Sequence, residues 1–358
     1  MAADTVKPRN IALDALKGLC IILMVIGHSG APQSLVRMIS CFHMPAFFII
    51  SGFLFKEKYI SDLFGFLRRK MKTLWWPFVF WTLIYLFLHN FFAGLGFYGD
   101  HYSPGEIVSR GVKGVMMRQT EPLLGGLWFL TSLLFASVTA LLYYRIFGMR
   151  TAVLGAGIAG CLLITECIKL GYLPEVMYFN AVNFQATAFF ITGTLISREN
   201  LHTLVGSKPT VILAIASLTI GTFWLKSAIN LTTALTLIPY YVTASIISWG
   251  LIVIFWRLPH TGIIQYLSKI GSYTLDILIF HFLAMKIVTW IRVAFLDTDP
   301  VHLADFPVIN FHQVMENPAD FYWIAYTVVG LTVSILISRL KEKSKKYICQ
   351  RIGSADSR

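Results

Sequence analysis

The sequence predicts an all-α, polytopic bundle of about ten membrane-spanning helices with both termini in the cytoplasm. Hydrophobic residues make up 56% of the 358 residues and charged residues only 13%, whereas soluble domains are about 45–50% apolar and about 25% charged. Many apolar runs exceed about 18 residues, which is enough to cross a hydrocarbon core of about 30 Å. Lysines and arginines are concentrated in particular connecting segments, as the positive-inside rule requires.

Each predicted span is an apolar stretch bounded by polar or basic residues. The spans are predicted at 11–30, 38–56, 73–93, 125–147, 151–171, 181–197, 210–227, 234–256, 271–294 and 321–338. An amphipathic lead-in is predicted at 262–270, and a short interfacial helix is predicted in the loop at 94–123. The chain then divides into a cytoplasmic N-terminus (1–8), a transmembrane domain (9–338) and a basic cytoplasmic tail (339–358).

The net charge of +12 does not indicate nucleic-acid binding, because the positive charge follows membrane topology and no groove- or strand-binding fold is predicted. The expected partners are membrane lipids and small molecules. The five cysteines lack metal-ligand spacing. The common nucleotide-loop, zinc-protease and serine-hydrolase motifs are absent from the sequence, so no metal is expected.

The first predicted helix carries three ionisable groups, Asp14, Lys17 and His28, inside an apolar run. Such groups are costly in a membrane and indicate a functional site by default. Lys17 and His28 are spaced so that, at 100° per residue, they lie within about 20° of the same helix face with a rise of about 16 Å. A signal peptide is the competing interpretation, but a cleavable apolar region does not contain Asp, Lys and His.

His28 is the strongest candidate for a catalytic residue. Gly27 and Gly30 leave room for close approach, and His43 lies near the start of the next predicted helix. Helices joined by a short turn are antiparallel neighbours, so both imidazoles are expected at a similar depth near the outer side. The alternatives are hydrogen-bonded packing for His28 and helix packing beside Pro45 for His43.

Asp14 and Lys17 lie one helical turn apart, toward the cytoplasmic end of the first helix. As a structural pair they neutralise each other and make insertion less costly. As a functional pair they offer a cation to an anionic cofactor entering from the cytoplasm, with Arg9 adding a second positive charge. Further polar residues are equally consistent with substrate contact and with a structural polar network: Ser51, Trp128, Tyr273, Asp276 and His281.

Four segments together resemble the acyltransferase-3 family of integral membrane O-acyltransferases. Lys17-x10-His28, preceded by Arg9 and Asp14, is similar to the signature of that family's first helix. Three later segments resemble its second-helix, fourth-helix and late-helix motifs, at 42–53, 127–130 and 271–281. The last of these is similar to fucose 4-O-acetylase-like members, and the resemblance runs from about residue 9 to 338. Lys17 stands where many members have Arg, and Lys lacks the planar fork that suits bidentate phosphate binding.

The resemblance implies transfer of an acyl group, commonly acetyl from acetyl-CoA, to a sugar hydroxyl of a cell-surface glycan or its lipid-linked precursor. It also implies a bacterial inner-membrane location. Under this hypothesis His28 accepts the proton of the acceptor hydroxyl, because a neutral imidazole is a fitting general base. Lys17 and Arg9 would hold the phosphate groups of CoA, while its pantetheine arm bridges the roughly 16 Å to His28.

Two points stay open on the sequence alone. Either His43 or His281 would orient the acceptor or stabilise the oxyanion, and an acyl-histidine intermediate is as consistent with the residues as direct transfer. The competing class of protein is a multi-pass transporter or flippase for a small solute or a lipid-linked sugar. Its support is the general one of intramembrane charges in a polytopic bundle.

Overall fold

A computed structural model describes residues 10–204, 206–225, 227–258, 261–296, 298–311, 315 and 321–355. Within these residues the regular secondary structure is helical, with one isolated extended bridge between Val176 and Phe179. The chain forms two compact units. The first unit contains the chain up to Met24, Gln33–Val79 and Trp128–Ser272, and the second contains Val25–Pro32, Phe80–Leu127 and the chain from Tyr273 onward.

The α-helices of the described residues are, in chain order, α1 (Ile11–His28), α2 (Gln33–Ser40), α3 (His43–Phe53), α4 (Lys58–Ser61), α5 (Leu63–Lys70), α6 (Trp76–Gly94), α7 (Pro104–Val115), α8 (Trp128–Phe147), α9 (Thr151–Lys169), α10 (Ala181–Arg198), α11 (Leu201–Leu204), α12 (Ser207–Ile220), α13 (Ala234–Arg257), α14 (Gly262–Ser272), α15 (Thr274–Phe295) and α16 (Tyr322–Ala355). Two π-helical segments, Met71–Trp75 and Gly221–Leu225, and two 3-10 segments, Pro122–Leu127 and Pro300–Ala304, adjoin them.

The described chain has nine helical segments that are long and apolar enough to cross a membrane, so the protein is an integral, multi-pass membrane protein. They are Ile11–His28, Gln33–Phe53, Leu63–Gly94, Pro122–Phe147, Thr151–Lys169, Lys208–Leu225, Ala234–Arg257, Thr274–Phe295 and Tyr322–Ser344. This confirms the predicted all-α polytopic bundle. α10 also has 18 residues, but Asn183, Gln185 and several threonines lower its hydropathy, and a tenth span stays a prediction.

The first unit is held together by close approach between helix backbones. α10 is buried along most of its length and packs against α3, α8 and α9. A Cβ atom at Gly193 would meet the carbonyl oxygen of Ile49, and one at Gly52 would meet that of Phe190. Small residues of this kind let membrane helices approach closely. Thr192 satisfies its buried hydroxyl by donating to a carbonyl one turn earlier in α10.

The second unit is organised around α15 and α16, which pack along one another. Gly330 of α16 provides part of this fit, because a Cβ there would lie 3.2 Å from Val25 and 3.4 Å from Met285. The segments Pro122–Leu127 and Pro300–Ala304 also pack against α15. The helix predicted in the loop at 94–123 is present as α7. A capping box stabilises its N-terminus, because the side chains of Ser103 and Glu106 each accept a hydrogen bond from the backbone N–H of the other.

The second predicted span begins earlier than expected and is interrupted. The sequence predicts one helix over 38–56, whereas the structure has α2 and α3 separated by a turn at Cys41 and Phe42. Pro45 has no N–H, so an unbroken helix would leave the carbonyl of Cys41 without its hydrogen bond. A helix that restarts at His43 places Pro45 in its first turn, where that N–H is not needed.

The last helix is longer than predicted. The sequence predicts a span at 321–338 followed by a basic tail, but α16 continues to Ala355. Two contacts attach the beginning of this extension to the start of α15. Lys341 pairs with the Asp276 carboxylate, and the Tyr273 hydroxyl donates to Glu342 at 3.2 Å. Lysine, arginine and glutamate are good helix formers, which favours the helical conformation of this extension.

Candidate active site

Two histidines meet in the second unit. His28 is the last residue of α1, and His281 lies about two turns into α15. Their ring centroids are 5.7 Å apart. The ring of Phe282 lies 5.0 Å from that of His28 and 3.9 Å from that of His281. The sequence prediction named both residues separately, and the structure brings them together as a histidine pair (His28 and His281).

The side chain of His281 is held in one orientation. It is fully buried, and its Nδ1 lies 2.9 Å from the carbonyl oxygen of Ile277 and 3.1 Å from that of Leu278. A carbonyl oxygen only accepts hydrogen bonds, so Nδ1 carries the proton and Nε2 presents a lone pair. Within the described residues, Nε2 has no hydrogen-bond partner. His281 therefore offers a fixed acceptor beside His28.

The 3-10 segment Pro122–Leu127 lies against the same part of α15. A Cβ at Gly125 would lie 3.4 Å from the ring of Phe282, and one at Gly126 would lie 2.7 Å from the side chain of Leu278. The two glycines thus allow the segment to approach α15 next to the histidine pair. The sequence prediction used this region only as the start of a span and missed its contact with α15.

The loop after α15 folds back along that helix. Lys286 is fully buried and donates hydrogen bonds to the loop carbonyls of Leu303 and Asp305, at 2.7 and 2.6 Å. At 1.5 Å of rise per residue, Lys286 lies about 14 Å along the helix axis from the C-terminal end of α15. Phe306 packs on Phe282, with ring centroids 4.7 Å apart. The loop therefore contributes an aromatic side chain to the edge of the histidine pair.

The charged end of α1 lies in the first unit. Lys17 donates to the Asp14 carboxylate at 3.1 Å, and the Lys17 side chain is one quarter exposed. A Cβ at Gly18 or at Gly271 would meet the backbone of the facing helix, so α1 and α14 are in backbone contact. The predicted i,i+3 ion pair is present, and the lysine retains access to solvent. Arg9 lies outside the described residues.

Three other predicted site residues lie in the first unit. The Nδ1 atom of His43 donates to the carbonyl of Ile39 at 2.8 Å, and the hydroxyl of Ser51 donates to the carbonyl of Phe47 at 2.8 Å. Trp128 is the first residue of α8. These contacts fit the packing alternative for His43 and Ser51. The expectation that His43 and His28 lie at a similar depth near the outer side stays a prediction.

Two predicted residues at the start of α15 are bound to α16. Asp276 pairs with Lys341, whose ammonium group also lies 5.5 Å from the ring centroid of Trp81. The hydroxyl of Tyr273 donates to Glu342. These contacts fit the structural alternative for Asp276 and Tyr273, and their contact with substrate stays a prediction.

A cationic cavity in the first unit was missed by sequence reasoning. Arg69 and Lys70, which the sequence prediction used only as topology signals, line with Ser51 a cavity of about 180 Å³. Arg69 donates to the hydroxyl of Tyr59 at 2.6 Å. The ammonium group of Lys70 lies 5.2 Å from the ring centroid of Phe66. Positive charge beside a cavity favours an anionic ligand, and the cluster of basic and aromatic residues at 55–70 is the signal that could have found this cavity.

A second buried histidine of the second unit supports the loop after α6. The ring of His89 is stacked between Tyr98 and Tyr102, with centroid distances of 4.2 and 3.4 Å, and its Nδ1 lies 3.0 Å from the Glu121 carboxylate. Burial raises the pKa of Glu121, and the contact with His89 opposes that shift. Burial also raises the pKa of Tyr102 to about 12, so its hydroxyl stays protonated at neutral pH.

The fold and the histidine pair define a multi-pass membrane protein with two neighbouring imidazoles on its helices. In the part of the chain that the structure describes, no three His, Cys, Asp or Glu side chains are grouped to hold a metal ion. The family model described as an acyltransferase domain matches residues 10–339. The chain belongs to the acyltransferase-3 family and is a membrane acyltransferase, which confirms the resemblance at the level of the family. No curated protein and no solved structure gives a match.

Proposed function

We propose that the protein transfers an acetyl group from cytoplasmic acetyl-CoA to a sugar hydroxyl of a cell-surface glycan or its lipid-linked precursor. The single observation that supports a chemical role inside the bundle is the contact between His28 and His281. The acetyl group, the sugar acceptor and the bacterial inner membrane rest on the resemblance to the acyltransferase-3 family, within which the segment 271–281 is similar to fucose 4-O-acetylase-like members.

In the proposed reaction, His28 is the general base. A sugar hydroxyl is a poor nucleophile at neutral pH, and a neutral imidazole is matched to accept its proton. As the hydroxyl oxygen bonds to the acyl carbon, the carbon–sulfur bond of the thioester breaks, and the proton passes through His28 to the CoA thiolate. Direct transfer is the simpler path, since it needs no covalent intermediate on His28. His43 is retained as a second candidate for orienting the acceptor.

Two cationic regions of the first unit support an anionic donor. Lys17, with Asp14 beside it, retains access to solvent, and we assign it with Arg9 to the phosphate groups of CoA. The cavity lined by Arg69 and Lys70 adds positive charge in the same unit. Both regions contain residues from the basic end of a predicted span, as expected for a donor that arrives from the cytoplasm.

The test is His28→Ala in the purified full-length protein, with labelled acetyl-CoA as the donor and label in the glycan and lipid-linked sugar fractions as the readout. We expect kcat to fall about 100- to 10,000-fold, the usual contribution of general base catalysis. Thermal stabilisation by unlabelled acetyl-CoA should persist, because His28 is not assigned to donor binding.

The matched control is His202→Ala, which removes a buried histidine of the first unit that packs against Phe53 and Trp256. This variant should retain transfer once its melting temperature shows that it is folded. A folded His28→Ala protein with near-normal transfer would overturn the assignment of His28 as the base. Absence of acetyl-CoA binding by the wild-type protein would overturn the donor.

A further inference from the structure

We propose that His281 is a positioning residue that holds the proton on His28 during acyl transfer. In this role its Nε2 accepts a hydrogen bond from the His28 imidazolium that forms when His28 takes the hydroxyl proton. The inference rests on the proposed function, because it requires His28 to be the base. It adds a second imidazole, from a different helix, to the machinery of that site.

The first support is the fixed tautomer of His281. The backbone carbonyl of Ile277, 2.9 Å away, requires Nδ1 to be the protonated nitrogen, so Nε2 is the only ring atom that can accept a proton or a hydrogen bond. The ring is fully buried, and Nε2 has no partner within the described residues. A buried acceptor without a partner is costly, and such a group needs an explanation beyond packing.

The second support is the distance between the two rings. The centroids of His28 and His281 are 5.7 Å apart, with an interplanar angle of 32°. A hydrogen bond of ~3 Å between nitrogens on facing edges would place two imidazole rings at a similar separation. The separation of the two rings therefore matches that of a hydrogen bond from an N–H of His28 to Nε2 of His281.

The third support is the apolar surface around the pair. Phe282 contacts both rings, and Phe306 covers Phe282 in turn. A cation formed in such surroundings is costly unless a partner accepts its hydrogen bond. The charged groups of α15 are engaged elsewhere: Asp276 pairs with Lys341, Lys286 binds the loop carbonyls, and Arg292 lies over the ring of Tyr322. His281 is therefore the group on α15 placed to stabilise the charge.

The proton is conserved through the cycle. It leaves the acceptor hydroxyl for His28 as the new carbon–oxygen bond forms, and it leaves His28 for the sulfur of CoA after the carbon–sulfur bond breaks. His281 keeps its own proton on Nδ1 throughout and returns to its starting state. It acts as the carboxylate of a catalytic triad does, by orienting the base and stabilising its charged form.

The alternative is a purely structural role, in which His281 only anchors its Nδ1–H to α15 and fills space. Two substitutions separate the roles because each retains one half of the ring's hydrogen bonding. His281→Asn keeps an N–H donor near the position of Nδ1 and removes the acceptor. His281→Gln removes that donor and places an amide oxygen near the position of Nε2.

The experiment measures kcat and the KM for acetyl-CoA in wild type, His281→Asn and His281→Gln, with transfer of label from acetyl-CoA as the readout. We expect His281→Asn to lose about 100-fold in kcat, at the lower end of the range for positioned proton transfer, with KM unchanged. His281→Gln should retain at least ten times the kcat of His281→Asn. A structural role predicts the opposite order, with Asn tolerated and Gln impaired.

His202→Asn is the matched control for loss of a buried imidazole and should leave kcat unchanged. The double variant His28→Ala/His281→Asn should be no slower than His28→Ala alone, because the two residues act as a unit. Wild-type kcat in His281→Asn would overturn the inference and leave the proposed function intact, whereas an active His28→Ala protein would remove the base itself. If His281→Asn does not fold, a folded His281→Gln protein with a loss of 100-fold or more overturns the inference.

Discussion

The two units of the protein bury different kinds of side chain. In the first unit, buried polar groups are mainly hydroxyls and amides that bond to helix carbonyls, as Thr192 and Gln185 do with Ala188 and Ala181. Among the described residues, the buried His, Lys, Asp and Glu side chains are His202 in the first unit and His89, Glu121, His281 and Lys286 in the second. The second unit therefore holds four of these five buried His, Lys and Glu side chains.

The first unit is therefore best explained by helix packing, whereas the buried ionisable groups of the second unit need a further explanation. The glycine contacts of the first unit stabilise the fold through the fit of helix backbones, and nothing there requires a proton to move. The second unit retains groups whose burial is costly in a membrane. Lys286 and the Oε2 atom of Glu121 have protein partners, whereas the Oε1 atom of Glu121 and Nε2 of His281 have none among the described residues. Substitutions in the two units should therefore fail in different ways.

The largest effect is expected where the backbones of the first unit touch. Gly193→Ala would place a methyl group against the carbonyl of Ile49, and neither helix can yield without breaking the contact. We expect a loss of about 3 kcal/mol or more in the free energy of unfolding, at the upper end of overpacking costs. The measurement is thermal unfolding in detergent together with the yield of folded protein.

Gly155→Ala is the matched control, because a Cβ at Gly155 has no atom within 4 Å. Its stability should equal or slightly exceed that of wild type, since alanine favours a helix over glycine. A Gly193→Ala protein as stable as Gly155→Ala would contradict the view that backbone contact holds the first unit together.

A smaller and more local effect is expected for Lys286→Met. The substitution keeps an apolar chain of similar length and leaves the carbonyls of Leu303 and Asp305 without their donor. A buried carbonyl that loses its partner costs about 1–3 kcal/mol, and because Leu303 and Asp305 are only partly buried, the lower end of that range applies. We expect faster hydrogen exchange in residues 298–311, with exchange in α10 unchanged.

Ile287→Met serves as the comparison, because Ile287 is the next residue on α15 and its side chain is 43% exposed. This variant should leave the exchange of the loop unaltered. Equal protection of the loop in both variants would show that Lys286 does not anchor it.

The smallest effect is expected at the N-terminus of α7. The backbone N–H and the hydroxyl of Ser103 lower the pKa of Glu106 in the folded protein. The carboxylate therefore adds stability above its usual pKa of about 4.3, and this stability is lost as the pH falls through the lowered folded value. Glu106→Gln should abolish that pH dependence in the hydrogen exchange of α7, whereas Lys113→Gln on the same helix should preserve it.

Most of the helical framework could be predicted from local pattern, because the length of an apolar run and the position of basic residues are visible in the chain. α9, α10 and α13 lie within two residues of their predicted bounds. The break before His43 was missed because the effect of Pro45 acts four residues back, on the carbonyl of Cys41. The length of α16 was missed because its basic residues were interpreted as a signal of topology.

The sequence identified the two histidines of the candidate site, but neither their contact nor the aromatic residues beside them. His28 and His281 each stood out as an ionisable residue in an apolar run, but their contact depends on how α1 and α15 pack, and no local pattern encodes that. Phe282 and Phe306 could not be selected from 28 phenylalanines. The loop after α15 folds back through hydrogen bonds from Lys286 to backbone carbonyls. Every residue has a backbone carbonyl, so the sequence does not reveal which ones Lys286 will bind.

The length of α16 has a practical consequence for imaging the enzyme. Its 34 residues correspond to about 51 Å of helix, well beyond a hydrocarbon core of about 30 Å. A membrane protein of this size gives single-particle images few features outside the detergent micelle. A compact helical partner fused in register after Ala355 would extend α16 as a rigid rod, and its orientation would report that of the bundle during particle alignment.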